Sequence, residues 1–159
     1  MNDINNKHVV FLEDNPRGIG PVIKILTQVG AKEHVTKRFK SFTRELRKLK
    51  ENNQKIKLFI IDDNLYQEHN LEDVGLPQVD AEDGLIAGSK LVEAIRNNKK
   101  GLKEEIKHYS DVPIILYSVH SPEDIKGRIG NLNNVEYFEK LAGNKELDAV
   151  LNSAKKYLK

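Results

Sequence analysis

The 159-residue sequence contains no cysteine and no long hydrophobic run. The absence of cysteine excludes disulfide frameworks, thiolate zinc sites and cysteine nucleophiles, and it favours a reducing compartment. Every metal ligand must therefore be an oxygen or a nitrogen atom. The polar segment 1–7 leads into an apolar stretch of about five residues, which is too short for a signal-peptide core or a membrane span. We therefore expect a cytoplasmic protein with no membrane partner.

The composition is 38% hydrophobic and 31% charged, which is typical of one soluble globular domain rather than of a disordered chain. The sequence has no internal repeat and no low-complexity segment. We expect a single domain over residues 1–159.

The net charge of +2 conceals two segments of opposite sign. Segment 37–57 has nine Lys or Arg residues against two Glu, a net +7, whereas segment 62–83 has eight Asp or Glu residues and no Lys or Arg. The basic segment has the spacing of an amphipathic helix, with Phe42, Leu46 and Leu49 on its inner face. Its outward basic residues have no aromatic residues among them and the whole chain is nearly neutral, so a solvated helix surface is favoured over a nucleic-acid site.

Three short apolar runs, at 8–12, 56–61 and 112–117, are rich in β-branched residues and predict buried parallel strands. Weaker strand patterns occur at 33–39 and 135–138. Helical periodicity separates the strands, and a short helix over 121–129 begins with the N-cap Ser121 and with Pro122. The order is (βα)₅. It predicts a doubly wound, flavodoxin-like sheet of five parallel strands, with helices on both faces in a three-layer sandwich.

Segment 65–82 separates the third strand from the third helix by far more than the usual βα loop. It is a long acidic loop that contains Glu68, Glu72, Asp73, Asp80 and Glu82. A tolerated surface insertion is favoured over a role in docking a partner.

The carboxyl ends of parallel strands meet at one edge of the sheet. The residues that follow or end the strands there are Glu13, Asp14, Asp62, Asp63, Ser118 and Lys140. Clustered carboxylates repel one another unless protons or a hard cation neutralise them, so oxygen ligands predict Mg²⁺, or Mn²⁺, rather than zinc. Carboxylates, a divalent cation, a hydroxyl and an ammonium together can hold the oxygens of a phosphoryl group, which predicts phosphoryl transfer.

Asp62 and Asp63 are consecutive, and side chains alternate along a strand, so only one of them can point into the crevice. The apolar spacing selects Asp62, and Asp63 is expected to act as a cap or to lie beside the site. We expect His69, His108 and His120 to be surface residues, because no two of them have metal-ligand spacing with a carboxylate.

These motifs, taken in order, resemble the receiver domain of bacterial two-component response regulators over nearly the whole chain. Segment 11–16 resembles the acidic pair that binds Mg²⁺, and segment 58–62 resembles the strand that ends in the phosphoaccepting aspartate. Asp83 and Gly84 match the dipeptide that opens the third helix. Segments 112–118 and 135–140 are similar to the fourth and fifth strands with their hydroxyl, aromatic and lysine residues.

The resemblance implies a role for each matched residue. Asp62 would be the phosphoacceptor, and Lys140 and Ser118 would bind phosphoryl oxygens. Mg²⁺ would be held by Glu13, Asp14, Asp62 and the backbone carbonyl of Asn64. Ser118 and Tyr137 would be switch residues. The phosphodonor would be a sensor histidine kinase or a phosphotransfer protein, and a stand-alone receiver would act on a further protein.

Two residues depart from the family pattern. Leu141 stands where the family commonly has a proline, so a trans bond is expected there, and Val119 stands where the family usually has a small side chain. These departures leave open a pseudo-receiver that acts as a non-phosphorylated interaction scaffold. A haloacid-dehalogenase-like phosphatase is disfavoured, because it needs a second acid where this chain has Asn64.

Overall fold

The computed structural model describes residues 7–65, 70–77, 86–140 and 144–159. Five strands are present in these residues: β1 (His8–Leu12), β2 (Lys32–Thr36), β3 (Ile56–Ile61), β4 (Ile114–Ser118) and β5 (Val135–Glu139). They form one sheet of order β2-β1-β3-β4-β5, and every neighbouring pair is parallel. This order is the flavodoxin-like one, so the predicted fold class is confirmed.

Six α-helices lie in the described residues: α1 (Gly20–Gln28), α2 (Phe39–Glu51), α3 (Ala87–Arg96), α4 (Glu104–Lys107), α5 (Pro122–Ile129) and α6 (Asn144–Tyr157). A 3₁₀ helix, Pro16–Ile19, precedes α1. Apolar side chains of α1 and α6 pack on one face of the sheet, and those of α2 to α5 pack on the other. Within β1, Val9 and Phe11 face α1 and α6, whereas Val10 and Leu12 face the core on the side of α2 to α5, as the alternation of side chains along a strand requires.

Strands β1 and β3 have the predicted bounds, but β2 ends at Thr36 and not at residue 39. The predicted end of β2 was wrong because Phe39 begins α2. Phe39 and Phe42 are both fully buried, and their spacing is that of a helix face. Helix α4 was not predicted, because its four residues are too few to show a helical period in the sequence.

The solvated surface predicted for α2 is confirmed. Phe42, Leu46 and Leu49 are buried, whereas the basic side chains between them are exposed: Arg44, Arg47, Lys48 and Lys50. None of the helices in the described part of the chain is long and apolar enough to span a membrane.

The predicted loop 65–82 is described only at Leu65 and over 70–77. Here a 3₁₀ helix, Leu71–Val74, places Leu71, Val74 and Leu76 in the core on the α2 side of the sheet. The expectation of a surface insertion was therefore wrong for this part, because its three apolar side chains bury hydrophobic surface. Glu72 is exposed and Asp73 is half-buried, and the other acidic residues of the loop lie outside the described residues.

Candidate functional site

Backbone hydrogen bonds continue beyond the strands and fix the residues at the carboxyl edge of the sheet. The Asp62 N–H donates to the Leu12 carbonyl at 2.9 Å, and the Lys140 N–H donates to the Ser118 carbonyl at 2.6 Å. The Glu13 N–H donates to the Thr36 carbonyl at 2.9 Å. The side chains at this edge are therefore placed by the ladder of the sheet rather than by a separate loop.

Three carboxylates meet at this edge. One ligand atom each from Glu13, Asp14 and Asp62 lies within 4.8 Å of the others, and Glu13 and Asp62 are buried. This donor set consists only of carboxylate oxygens, which fits a hard divalent cation such as Mg²⁺. Asn64, whose carbonyl was predicted as a further ligand, donates its backbone N–H to Asp62 Oδ1 at 3.0 Å. The ligand role of that carbonyl stays a prediction.

A single ammonium group contacts two of the carboxylates. Lys140 Nζ lies 2.5 Å from Glu13 Oε2 and 3.0 Å from Asp62 Oδ2. Its other neighbour is the ring of Tyr117, whose centroid is 5.4 Å away. One half-buried cation therefore faces two buried carboxylates, and a third carboxylate lies next to them.

This arrangement shifts the pKa values of Glu13, Asp62 and Lys140. Burial, together with repulsion from Asp62, raises the pKa of Glu13 to about 7, although Lys140 acts in the opposite direction. Burial also raises the pKa of Asp62 despite the attraction of Lys140. Burial alone would lower the pKa of Lys140, but Asp62 and Glu13 raise it overall. Three carboxylates therefore stand against one ammonium at this site, and a bound cation would relieve the repulsion between them.

Ser118 and Tyr137 make their hydrogen bonds with backbone groups outside the acidic cluster. Ser118 is fully buried at the end of β4, and its Oγ accepts a hydrogen bond from the His120 N–H at 3.2 Å. Tyr137 is half-buried on β5, where its hydroxyl donates to the Gly130 carbonyl and accepts from the Leu132 N–H, both at 3.2 Å. Tyr137 therefore packs against the α5–β5 connection.

Asp63 is 0% exposed and accepts hydrogen bonds from four donors. Two belong to Ser89 in the first turn of α3, its backbone N–H at 2.9 Å and its hydroxyl. The others are His120 Nδ1 at 2.9 Å and an Arg128 guanidinium nitrogen at 2.6 Å. Asp63 thus caps α3, which is one of the two roles predicted for it.

His120 is half-buried and remains partly at the surface, as expected, but its ring also contacts Asp63, which was not expected. Arg128 was missed altogether. The only signal for either was indirect, since a buried carboxylate requires a hydrogen-bonded or cationic partner. His108 is exposed as expected. His69, Leu141 and the Asp83–Gly84 dipeptide lie outside the described residues.

Gly88 allows α3 to pack directly on the site. A Cβ atom at Gly88 would lie 1.9 Å from the Asp62 carbonyl oxygen, and the Gly88 N–H donates to the Asp63 carbonyl at 3.0 Å. Val119, which follows Ser118, is exposed.

Comparisons with known proteins identify the fold. No protein-family model and no curated protein matches the chain. Among solved structures, a response regulator from Thermotoga maritima has 17% sequence identity and a TM-score of 0.60, with 96% of this chain and 98% of that chain covered. The Vibrio cholerae chemotaxis protein CheY4 has 15% identity and a TM-score of 0.53, with 94% and 98% covered.

A third neighbour is the receiver domain of a sensor histidine kinase from Pseudomonas aeruginosa, which has a magnesium ion coordinated in its active-site cleft. It shares 17% identity with this chain at a TM-score of 0.50, with 93% of this chain and 96% of that chain covered. The chain therefore has the CheY-like fold of response-regulator receiver domains over nearly its whole length.

Proposed function

We propose that the chain is a phosphoacceptor signalling switch of a two-component or phosphorelay system, and that Asp62 is the residue phosphorylated. The observation that carries this proposal is the cluster of Glu13, Asp14 and Asp62 with Lys140 in contact, at the carboxyl edge of a receiver-like sheet. The phosphodonor would be a sensor histidine kinase or a phosphotransfer protein, in keeping with the response regulators among the structural neighbours.

In the proposed reaction an Asp62 carboxylate oxygen attacks the phosphorus of a phosphohistidine. A P–O bond forms, the P–N bond breaks, and the histidine leaves with the electron pair and takes up a proton. The Asn64 N–H holds Oδ1 and the Lys140 ammonium holds Oδ2, so the nucleophile has a defined orientation before the donor arrives. Lys140 and the Ser118 hydroxyl would then bind oxygens of the transferred group.

Glu13, Asp14 and Asp62 would hold Mg²⁺, with Mn²⁺ as an alternative, and the Asn64 carbonyl would be a further ligand. When bound, the cation would neutralise charge on the phosphoryl oxygens. The close approach of the three carboxylates and the magnesium ion of the Pseudomonas aeruginosa neighbour both support this assignment.

The output would be a change in the surface that another protein reads. Ser118 and Tyr137 are the proposed switch residues, because Ser118 lies at the phosphoacceptor edge and Tyr137 lies on β5 against the α5–β5 connection. We place the protein in the cytoplasm, together with its kinase and an unidentified downstream protein target.

The test is intact-mass spectrometry after incubation with acetyl phosphate, with Mg²⁺ or with EDTA. It compares the wild type with Asp62→Asn and with Asp111→Asn, a matched change at an exposed aspartate. We expect one phosphoryl adduct in the wild type and in Asp111→Asn, only with Mg²⁺, and none in Asp62→Asn. An adduct on Asp62→Asn would show that the phosphoacceptor is a different residue. No adduct in any sample, with acetyl phosphate or a phosphorylated kinase, would favour the alternative, a pseudo-receiver that acts as a non-phosphorylated interaction scaffold.

A further inference from the structure

Asp63 is a buried charged group that the proposed phosphoryl transfer does not use. The Asp63 side chain is fully buried and has its own set of partners, whereas the neighbouring Asp62 lies with Glu13 and Lys140. A buried carboxylate is unfavourable unless cations and hydrogen-bond donors surround it. Asp63 has both, since Arg128 lies 2.6 Å away and His120 lies 2.9 Å away.

The donors to Asp63 come from three parts of the fold that are separate in sequence. Ser89 belongs to α3, His120 belongs to the β4–α5 connection, and Arg128 belongs to the last turn of α5. The carboxylate therefore joins the end of β3 to two helices and to the segment between β4 and α5. The Arg128 and His120 side chains are still 30% and 27% exposed, so they also form part of the outer surface.

The segment from Ser118 to Arg128 is connected internally by further hydrogen bonds. The His120 N–H donates to Ser118 Oγ at 3.2 Å. Ser121 Oγ caps α5 by accepting from the Asp124 N–H at 3.2 Å. A displacement of His120 or Arg128 relative to Asp63 would therefore change the position of both the Ser118 hydroxyl and α5.

We propose that Asp63 is a positioning residue that couples Asp62 to helix α5, by holding His120 and Arg128 and through them the Ser118 hydroxyl and the helix. This inference rests on the proposed function, because it assigns a role in phosphorylation of Asp62. Asp62 and Asp63 share a peptide unit, and the peptide units on either side of it are held by hydrogen bonds: the Asp62 N–H donates to the Leu12 carbonyl, and the Asp63 carbonyl accepts from the Gly88 N–H. A shift of this unit when Asp62 is phosphorylated would move the Asp63 carboxylate and its two basic partners together.

The test compares Asp63→Asn, Arg128→Gln and the double variant with the wild type. Asparagine keeps an oxygen that can accept from Ser89, so the cap of α3 is retained while the charge is removed. Arg44→Gln is the control, because it removes an exposed guanidinium from α2 on the same face of the sheet. Three quantities are measured: the rate of phosphorylation by acetyl phosphate at saturating Mg²⁺, the Mg²⁺ affinity, and the backbone amide NMR shifts of residues 123–129 with and without the phosphodonor.

We expect each single variant to be phosphorylated roughly 10- to 100-fold more slowly, with little change in Mg²⁺ affinity, because positioning is lost while the metal ligands remain. The double variant should be no slower than Asp63→Asn, since both changes remove the same contact. The phosphorylation-dependent shifts of α5 should shrink in all three variants, whereas Arg44→Gln should match the wild type. If Asp63 has a purely structural role, the variants should have a lower unfolding temperature, but their phosphorylation rate at temperatures below unfolding should equal that of the wild type.

Several results would overturn the inference. Variants that fold and are phosphorylated at the wild-type rate, with wild-type shifts in α5, would show that Asp63 does not position the site. Independent, additive losses in the double variant would show that it does not act through Arg128. If Asp63→Asn does not fold, Arg128→Gln decides the question alone. If the wild type itself is not phosphorylated, the proposed function fails and this inference fails with it.

Discussion

Asp62 and Asp63 are neighbours in the chain, but their carboxylates have different partners. Asp62 contacts Lys140 and the Asn64 N–H, whereas Asp63 contacts Ser89, His120 and Arg128. The alternation of side chains at the end of β3 produces this separation. Asp62 is therefore the aspartate that the proposed function assigns to the cation and the phosphoryl donor, while Asp63 contacts only groups within the described part of the protein.

At the residue scale, Lys140 competes with a bound cation for the same carboxylates. We predict that Lys140→Met binds Mg²⁺ about tenfold more tightly than the wild type, because the ammonium no longer neutralises Glu13 and Asp62. If the proposed function is correct, the same variant should be phosphorylated more slowly, since it lacks the ammonium that is proposed to bind the phosphoryl group. Isothermal titration calorimetry with Mg²⁺ measures the first effect.

The control for this prediction is Lys99→Met, which removes a charge from an exposed position. It should leave Mg²⁺ affinity unchanged. Weaker Mg²⁺ binding by Lys140→Met would contradict the prediction and would indicate that the ammonium orients the carboxylates more than it competes for them.

At the scale of elements, the distance between α3 and the end of β3 depends on one glycine. We predict that Gly88→Ala lowers the free energy of unfolding by about 2 kcal/mol or more, because its Cβ would collide with the Asp62 carbonyl oxygen at 1.9 Å. Urea unfolding measures this effect.

Gly127→Ala in α5 is the matched substitution, since no atom lies within 4 Å of its new Cβ. It should raise the free energy of unfolding by roughly 0.5–1 kcal/mol, because alanine favours the helix more than glycine does. Equal effects of the two substitutions would mean that α3 can move away from β3 without loss of stability.

At the scale of the whole molecule, a polar cluster attaches α6 to the edge strand β5. Glu136 accepts hydrogen bonds from the Ser153 and Tyr157 hydroxyls and lies 3.4 Å from Lys156 Nζ. Burial opposes ionisation of Glu136, but these partners outweigh it and lower its pKa below the usual 4.5. Burial and the bond to Glu136 raise the pKa of Tyr157 to about 12, so this hydroxyl remains a donor at neutral pH.

Because the pKa of Glu136 is lower in the folded state, the ionised carboxylate stabilises the protein above pH 4.5, and this contribution is lost as the pH falls through the folded-state pKa. We predict that Glu136→Gln lowers the free energy of unfolding by about 1 kcal/mol at pH 7, and that the difference from the wild type shrinks below pH 4.5. Urea unfolding at several pH values measures this difference. A difference that does not change with pH would show that the charge of Glu136 contributes nothing.

Much of the fold was predictable because its signals are local. Runs such as 56–61 are apolar on both faces, and a strand buried on both sides needs such a run. Strands separated by helices must then be parallel, which brings Glu13, Asp62 and Lys140 to one edge without any knowledge of the tertiary contacts. The end of β2 was not predictable from its own residues, because Phe39 belongs to the buried face of α2.

The sequence by itself therefore determined that the strands are parallel and which side chains stand at the carboxyl edge of the sheet, since both follow from short-range patterns and from the rules of chain connection. Only the tertiary structure decided which remote groups meet there: that Arg128 and His120 enclose Asp63, that Gly88 lies against Asp62, and that Leu71 and Val74 fill the core. These contacts depend on how helices pack on the sheet, and the packing is set by the shapes and charges of side chains far apart in sequence.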